Sequence, residues 1–298
     1  MKMLPEMRCQ KGMVLVLVLW MVILLTVLAG SFTLSARTES LLSRLAFDNA
    51  RARYAAEAGL HRAVYELRNP DPMSRWVADG RPYEMELDDI KVEIRITDES
   101  GKININNANV ELLKGLFLSA GLSEEEAAAL VDAMGDWVDG DDARRPLGAE
   151  DEDYEAAGYP YGAKDAPFDT VQEIQQVMGM DYDIYRQIEP AITVYSRNAG
   201  INLAVAPLEA LRAMPDISEE EARAFIEQRQ QVEPGDPLPV LPNGQAVVAR
   251  GGGLAYSVRS KAILPNGHQA ELDATIRLGG TVQGRPFQLM RWRDNEHL

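Results

Sequence analysis

Cysteine is almost missing from this chain: Cys9 stands alone, so no intrachain disulfide can form and no thiolate zinc cluster is available. Histidine is nearly as scarce. His61, His268 and His297 lie far apart, with no nucleophile motif beside any of them, which points away from an enzyme. Basic residues are outnumbered, 30 Lys and Arg against 46 Asp and Glu, for a net charge of −16. That deficit excludes a partner held mainly by its phosphate backbone, because such affinity comes from Lys and Arg. Proline is absent between Pro5 and Pro70, and no charge falls between Lys11 and Arg37. The remaining composition, 46% hydrophobic and 26% charged, is that of a folded protein with room for one large or two modest domains.

The stretch without charge or proline is the first feature present. Residues 13–32 form an apolar run long enough, at ~1.5 Å per residue, to cross a bilayer core of ~30 Å. Strong helix formers continue to Asn69, with Leu34, Leu41, Leu45, Tyr54, Ala58, Val64 and Leu67 at helical spacing. One continuous helix of about 55 residues is expected, half in membrane and half in water. Lys2, Arg8 and Lys11 precede the apolar run and the acidic bulk follows it, so the head stays cytoplasmic and the rest is exported. A secretory signal peptide, a plain signal anchor and a cleaved leader all begin this way. The junction Gln10-Lys11-Gly12-Met13 resembles the prepilin leader of type IV pilins and pseudopilins, which their peptidase cuts after the glycine. That resemblance implies cleavage between Gly12 and Met13. It also marks a departure: the fifth mature position, usually glutamate in that family, holds Leu17. A subunit without that carboxylate is expected to begin or cap a fibre.

Beyond Pro70, residues 83–97 alternate polar and apolar around a turn at Asp88-Asp89. Residues 254–264 and 268–278 flank Pro265-Asn266-Gly267 as a hairpin, and a last strand runs over 286–292. The expected fold is α+β, a long N-terminal helix on a mainly antiparallel sheet. A mostly helical insertion, 103–231, interrupts it. Its helices are predicted at about 108–118, 123–138, 170–178, 182–189, 206–214 and 218–231. Two parts look alike: the segments from Gly101 and Gly200 each lead through one helix to a Ser-Glu-Glu-Glu-Ala sequence, at Ser123 and Ser218. Both fit a capping box, which predicts a duplicated helical hairpin. Such hairpins resemble DNA-binding helix-hairpin-helix units, but three glutamates at each second helix repel phosphate.

Between the hairpins lies an acidic loop. Asp136, Asp139, Asp141, Asp142, Glu150, Asp151 and Asp153 are its candidate metal ligands. Asp139-x-Asp141 has the spacing that opens calcium loops, and Glu150 falls eleven residues after Asp139, where an EF-hand places its bidentate glutamate. Ala143 and Arg144 break that pattern where a ligand and the turn glycine belong, so this is not an EF-hand. Oxygen ligands without His or Cys favour calcium over zinc, and one or two Ca²⁺ ions are expected. A solvated acidic loop is the competing account.

Taken together, these features resemble the K-type minor pseudopilins of type II secretion systems, the general secretion pathway protein K family. The resemblance rests on the leader junction, Leu17, the helix-and-sheet frame and the insertion opening on Gly101-Lys-Ile-Asn-Ile-Asn106. It rests also on Asp136-Trp-Val-Asp139, Gly148-Ala-Glu-Asp-Glu-Asp-Tyr154 and Pro167-Phe-Asp-Thr-Val-Gln-Glu-Ile174. It implies a leader at 1–12, a transmembrane half-helix at 13–32, and an amphipathic half with the first strands at 33–102. The insertion at 103–231 and the last strands at 232–298 complete the division. It implies a non-enzymatic subunit at the tip of a periplasmic fibre, anchored by a single pass in the bacterial inner membrane. Its partners would be I-type and J-type minor pseudopilins and the prepilin peptidase, with neither nucleic acid nor a small-molecule substrate. A minor pilin or DNA-uptake pseudopilin using the hairpins is the alternative.

Overall fold

In a computed structural model, residues 11–233, 236–247, 253–279, 284 and 286–295 are described. The basic head with Lys2, Arg8 and Cys9, and also His297, lies outside them. Helix α1 runs unbroken over Lys11–Leu67. Its apolar start, with a mean hydropathy of 2.9 over 18 residues, packs against nothing else among the described residues and is long and apolar enough to cross a membrane. Leu17 is exposed on that part. From Ala52 onward the helix meets the sheet through Ala52, Ala55, Ala56, Leu60, Ala63, Val64 and Leu67, the steps of three and four that build one helical stripe. The alanines let the two backbones approach closely. At Gly59 the approach is tightest, where a Cβ would stand 2.1 Å from Ser260 Oγ.

The sheet comprises β1 (Asp79–Leu87), β2 (Ile90–Asp98), β5 (Ala255–Ile263), β6 (Gln269–Arg277) and β7 (Gln288–Asn295), in the order β1-β2-β5-β6-β7 with every pair antiparallel. Strand β2 buries Ile90, Val92, Ile94 and Ile96 toward α1 and turns Lys91 and Arg95 to solvent, so its two-residue period is expressed as one dry face. Asp88, at φ 54°, makes the predicted turn between β1 and β2. Gly267, at φ 85°, closes the β5–β6 hairpin. This arrangement is the α+β frame expected from the alternation, with a helical unit inserted between β2 and β5.

The insertion holds its own core, with Phe117, Trp137, Tyr154, Ile174, Leu211 and Phe225 among its buried side chains. It opens on β3 (Ile103–Asn104), which pairs in parallel with β4 (Ile192–Thr193). Between and after these strands lie α2 (Val110–Ser119), α3 (Glu124–Val138), α4 (Asp151–Ala156), α5 (Tyr182–Ile188), α6 (Leu208–Arg212) and α7 (Glu219–Gln231). Both capping boxes form. Ser123 Oγ accepts from Glu126 N and Ser218 Oγ from Glu221 N, each at 3.3 Å, and each glutamate carboxylate accepts in return from the serine backbone. The two hairpins pack through α2 on α6, where a Cβ on Gly115 would stand 2.1 Å from the Ala213 carbonyl oxygen.

Three expectations are corrected. The helix read at 170–178 is a short 3₁₀ turn, Val171–Gln176. The helix read at 206–214 is only α6, because Pro207 sits at its N-cap and Pro215 follows its end. The insertion does not stop at Gln231. Leu241 is 2% exposed within the helical core, so the loop that follows α7 belongs to the insertion and not to the sheet. Its prolines deny it regular structure, and a turn at Gly244 folds it back so that Leu241 N donates to Gln245 O.

Candidate metal centre

Helix α3 delivers Asp136 and Asp139 from one face of its last turns, three residues apart. Asp136 is fully buried, while Asp139 is the C-cap where the chain turns extended. The chain then loops through Gly140–Ala149 and returns at Glu150, the N-cap of α4. Below the loop lies an aromatic floor: the Trp137 and Phe168 rings stack at 6.3 Å, and the Tyr154 hydroxyl accepts from Met178 N at 2.9 Å. Asn106, the last residue of the Gly101–Asn106 motif, grips Phe168 from both sides. Its Oδ1 accepts from Phe168 N at 2.8 Å and its Nδ2 donates to Phe168 O at 3.0 Å. That clamp holds the 162–169 segment against the acidic loop.

Of the predicted ligands, Asp136 and Asp139 share the Arg145 guanidinium, and Glu150 lies near enough to feel both of their charges. Glu150 is buried, and its carboxyl is pushed up to about 7, by desolvation first and then by the charges of Asp136, Asp139, Asp165 and Asp142. Asp142 contributes only through its charge, from an exposed position. Asp141 Oδ1 accepts from Ala143 N at 3.0 Å within its own turn. Asp151 Oδ1 accepts from Ala163 N at 2.8 Å, and Asp153 is held by Glu150 N at 3.1 Å and Arg144 Nη1 at 2.9 Å. Asp165 was missed by the sequence reading because it lies outside the acidic run, at φ 55° between Lys164 and Ala166. Its left-handed backbone, common for Asp in turns, is the one signal that marks it.

Two buried carboxylate oxygens, Asp139 Oδ1 and Glu150 Oε1, have no hydrogen-bond partner. An orphaned anion in a dry site is costly, and a hard cation is the partner that oxygen donors alone would select. The two orphaned oxygens have the donor chemistry of a hard-cation ligand, on Asp139 and Glu150. As the side chains stand, no three Asp, Glu, His or Cys groups among the described residues close on a single point. Arg145 pairs with two of the carboxylates instead: its Nη1 lies 2.6 Å from Asp136 Oδ1 and 2.5 Å from Asp139 Oδ2.

The acidic site lies inside a stretch with known relatives. Residues 89–197 match the family described as type II secretion system protein K. A type II secretion system protein K of Pseudomonas aeruginosa is 27% identical over 164 residues, which cover 52% of this chain and 49% of that protein. Another from Klebsiella pneumoniae is 28% identical over 206 residues, 61% of this chain and 62% of the relative. The aligned parts thus span about half to three-fifths of those proteins. In three dimensions the chain is similar to a chain of the GspK–GspI–GspJ complex of enterotoxigenic Escherichia coli, with TM-score 0.58 and 16% identity. That likeness covers 86% of this chain and 99% of the other, and it speaks for a shared fold. Over these stretches the chain is similar to the type II secretion system K proteins, the family that its leader junction, insertion and motifs resemble.

Proposed function

We propose that this chain is a minor pseudopilin of a type II secretion system, acting at the tip of the pseudopilus to initiate or cap the fibre. The observation that carries the reading is the insertion. Over a hundred residues with a separate core project from between two neighbouring strands of a pilin-like frame. A repeating shaft subunit needs room for copies above and below it, and a unit of this size crowds out the copy above. Leu17 supports the same position, since it offers no carboxylate to a neighbouring subunit at the place where shaft relatives carry glutamate. In this reading α1 anchors the chain in the inner membrane, the folded part lies in the periplasm, and prepilin peptidase cuts after Gly12. The I-type and J-type minor pseudopilins are the partners, in keeping with the complex to which the fold is similar. Full-length protein in detergent is expected to co-purify with those two proteins; elution of all three separately would refute the role.

The role is one of assembly and not of catalysis. His61 stands edge-on to Phe287 at 5.9 Å, with no acid or nucleophile in that contact. Nucleic-acid binding by the hairpins is disfavoured by their own pairing. Lys114 holds Glu124 at 2.5 Å, and Arg212 donates to Ser119 O at 2.6 Å beside Glu219, so the cations nearest the hairpin turns are already engaged.

Calcium at Asp136, Asp139 and Glu150 would tie α3 to α4 and complete the insertion. It would supply structural cross-linking in a chain that has no disulfide. Calcium at ~100 times its dissociation constant adds about 2.7 kcal/mol to stability. Chelation with EGTA is therefore expected to lower the melting temperature by roughly 5 °C or more. An unchanged melting temperature in differential scanning calorimetry would eliminate the metal.

A further inference from the structure

We propose that the face of the sheet turned away from α1 carries an anion site, taking a small oxyanion such as inorganic phosphate at the seam with the insertion. Strand register places it. Val92, Ile94 and Ile96 of β2 are buried toward α1, so Arg95 and Thr97 belong to the other face. Along that face Arg95 stands opposite Arg259 of β5, Arg259 opposite Asp273 of β6, and Asp273 opposite Arg293 of β7. The next row is Thr97, Ser257, Thr275 and Arg291. A cavity of about 240 Å³ is lined by these strands together with the insertion, which adds Lys102 at its entry, Ile192 and Tyr195. The site shares no residue with the acidic loop and does not depend on calcium.

The charges on this face are poorly matched. Three arginines share a row with one carboxylate, and two of them, Arg95 and Arg259, are direct cross-strand neighbours of like sign, which costs stability. Arg95 has Glu93 at 2.7 Å. Arg259 lies 3.4 Å from Asp273 and 3.5 Å from Glu271, and Arg293 lies 3.4 Å from Asp273 and 3.7 Å from Glu189. Those separations exceed the ~2.8 Å of a strong charge-assisted bond. Arg291 is closer, 3.0 Å from Asp273, but its buried Nε donates to nothing. Glu99, also in the lining, is already held by Lys102 and Ser257, each at 2.6 Å. Burial alone would raise the Asp273 carboxyl, yet the charges of Arg291, Arg259, Arg293 and Lys102 outweigh it and hold that carboxyl below its ordinary range. The local potential is therefore positive in a chain of net charge −16. A tetrahedral oxyanion brings more oxygens than Asp273 can, in a form that arginine forks grip bidentately. Bound there, it ties three strands of the frame to the entry of the insertion.

The test is isothermal titration of sodium phosphate into the full-length chain in detergent, with sodium chloride at matched ionic strength as the blank. Wild type is compared with Arg259→Gln, whose side chain is 57% exposed, and with Arg223→Gln on α7, outside the cavity. Saturable binding is expected, weakened about tenfold in Arg259→Gln and unchanged in Arg223→Gln. No saturable uptake by wild type at millimolar phosphate, or equal binding by Arg259→Gln, would overturn the inference. Glycerol 3-phosphate, the soluble headgroup of a lipid, is the second titrant; tighter binding of it than of phosphate would overturn the free ion as the ligand. A further measurement needs no variant: phenylglyoxal modification of the wild type, read by peptide mass spectrometry. Phosphate is expected to slow modification of Arg259 several-fold and to leave Arg223 unaffected. An unchanged rate at Arg259 would contradict the site whether or not Arg259→Gln folds.

Discussion

Asp79→Ala destabilises the chain by about 3–5 kcal/mol, while Arg229→Met costs less and the double variant is no worse than Arg229→Met alone. The expectation follows from where the two charges sit. Arg229 lies on α7 of the insertion and Asp79 on β1 of the frame, with Nε 3.9 Å from Oδ2 and both side chains almost wholly buried. Arg229 Nη1 donates to Leu203 O and Ala206 O at 3.1 Å, but its Nε and Nη2 have no hydrogen-bond partner. Burial pushes its guanidinium down to about 10. Without Asp79 that cation is left in a dry site with no counter-charge, the costly half of a broken buried pair. Asp79 is better provided for, since Arg81 binds it with two hydrogen bonds at 2.8 and 2.9 Å. Losing Arg229 therefore strands no charge, and Met fills much of the space. Urea melts of the four proteins read the cycle. Two single costs that are equal and add would show that the pair does not couple insertion to frame.

Glu150→Gln has effects of opposite sign with and without calcium. In EDTA, the wild-type carboxyl is held up to about 7 in the folded state against an ordinary value of 4.5. Its contribution to stability is complete below pH ~4.5 and is lost as pH rises through 7, because the unfolded chain then ionises more readily than the folded one. The variant cannot ionise. At pH 8 without metal it is expected to be more stable than wild type, on the order of 2 kcal/mol, and at pH 4.5 the two should melt together. In millimolar calcium at pH 8 the order reverses, because the amide gives up a charged ligand. Melting curves at the two pH values, with and without the ion, decide it. The same order in all four conditions would show that Glu150 faces neither the other carboxylates nor a cation.

The frame was legible because its periods are strict. Helix α1 has no proline or internal break, and β2 alternates through every residue from Ile90 to Asp98. The hairpins were legible because two identical Ser-Glu-Glu-Glu-Ala sequences can close the same capping box twice. What escaped was structure held by distant contacts. Helix α4 is six residues rich in acids, formed because Tyr154 is fully buried in the insertion core, and no local period announces it. The loop around Leu241 looks like a linker by its prolines, and only its burial assigns it to the helical unit.

The candidate centre divides in the same manner. Asp139, Asp141 and Glu150 were singled out by their spacing; in the folded chain Asp136 and Asp139 share Arg145, and Glu150 feels both charges. Asp141, Asp151 and Asp153, candidates within the same acidic run, are spent by the folded loop on its own turns and on Arg144. Asp165 faces Glu150 from a segment brought there by the Asn106–Phe168 clamp, a contact across 62 residues that no local pattern encodes. Arg145 read as an interruption in an acidic run. In the folded chain it is the central charge of the site.

The tip position is tested most directly by counting copies. Full-length protein, mixed in detergent with the I-type and J-type minor pseudopilins and the shaft subunit of its own system, is weighed by native mass spectrometry. The account predicts a discrete complex holding one copy of this chain, one of each minor partner and no second copy at any concentration. Ladders containing several copies of this chain, or fibres formed by this chain alone, would contradict it.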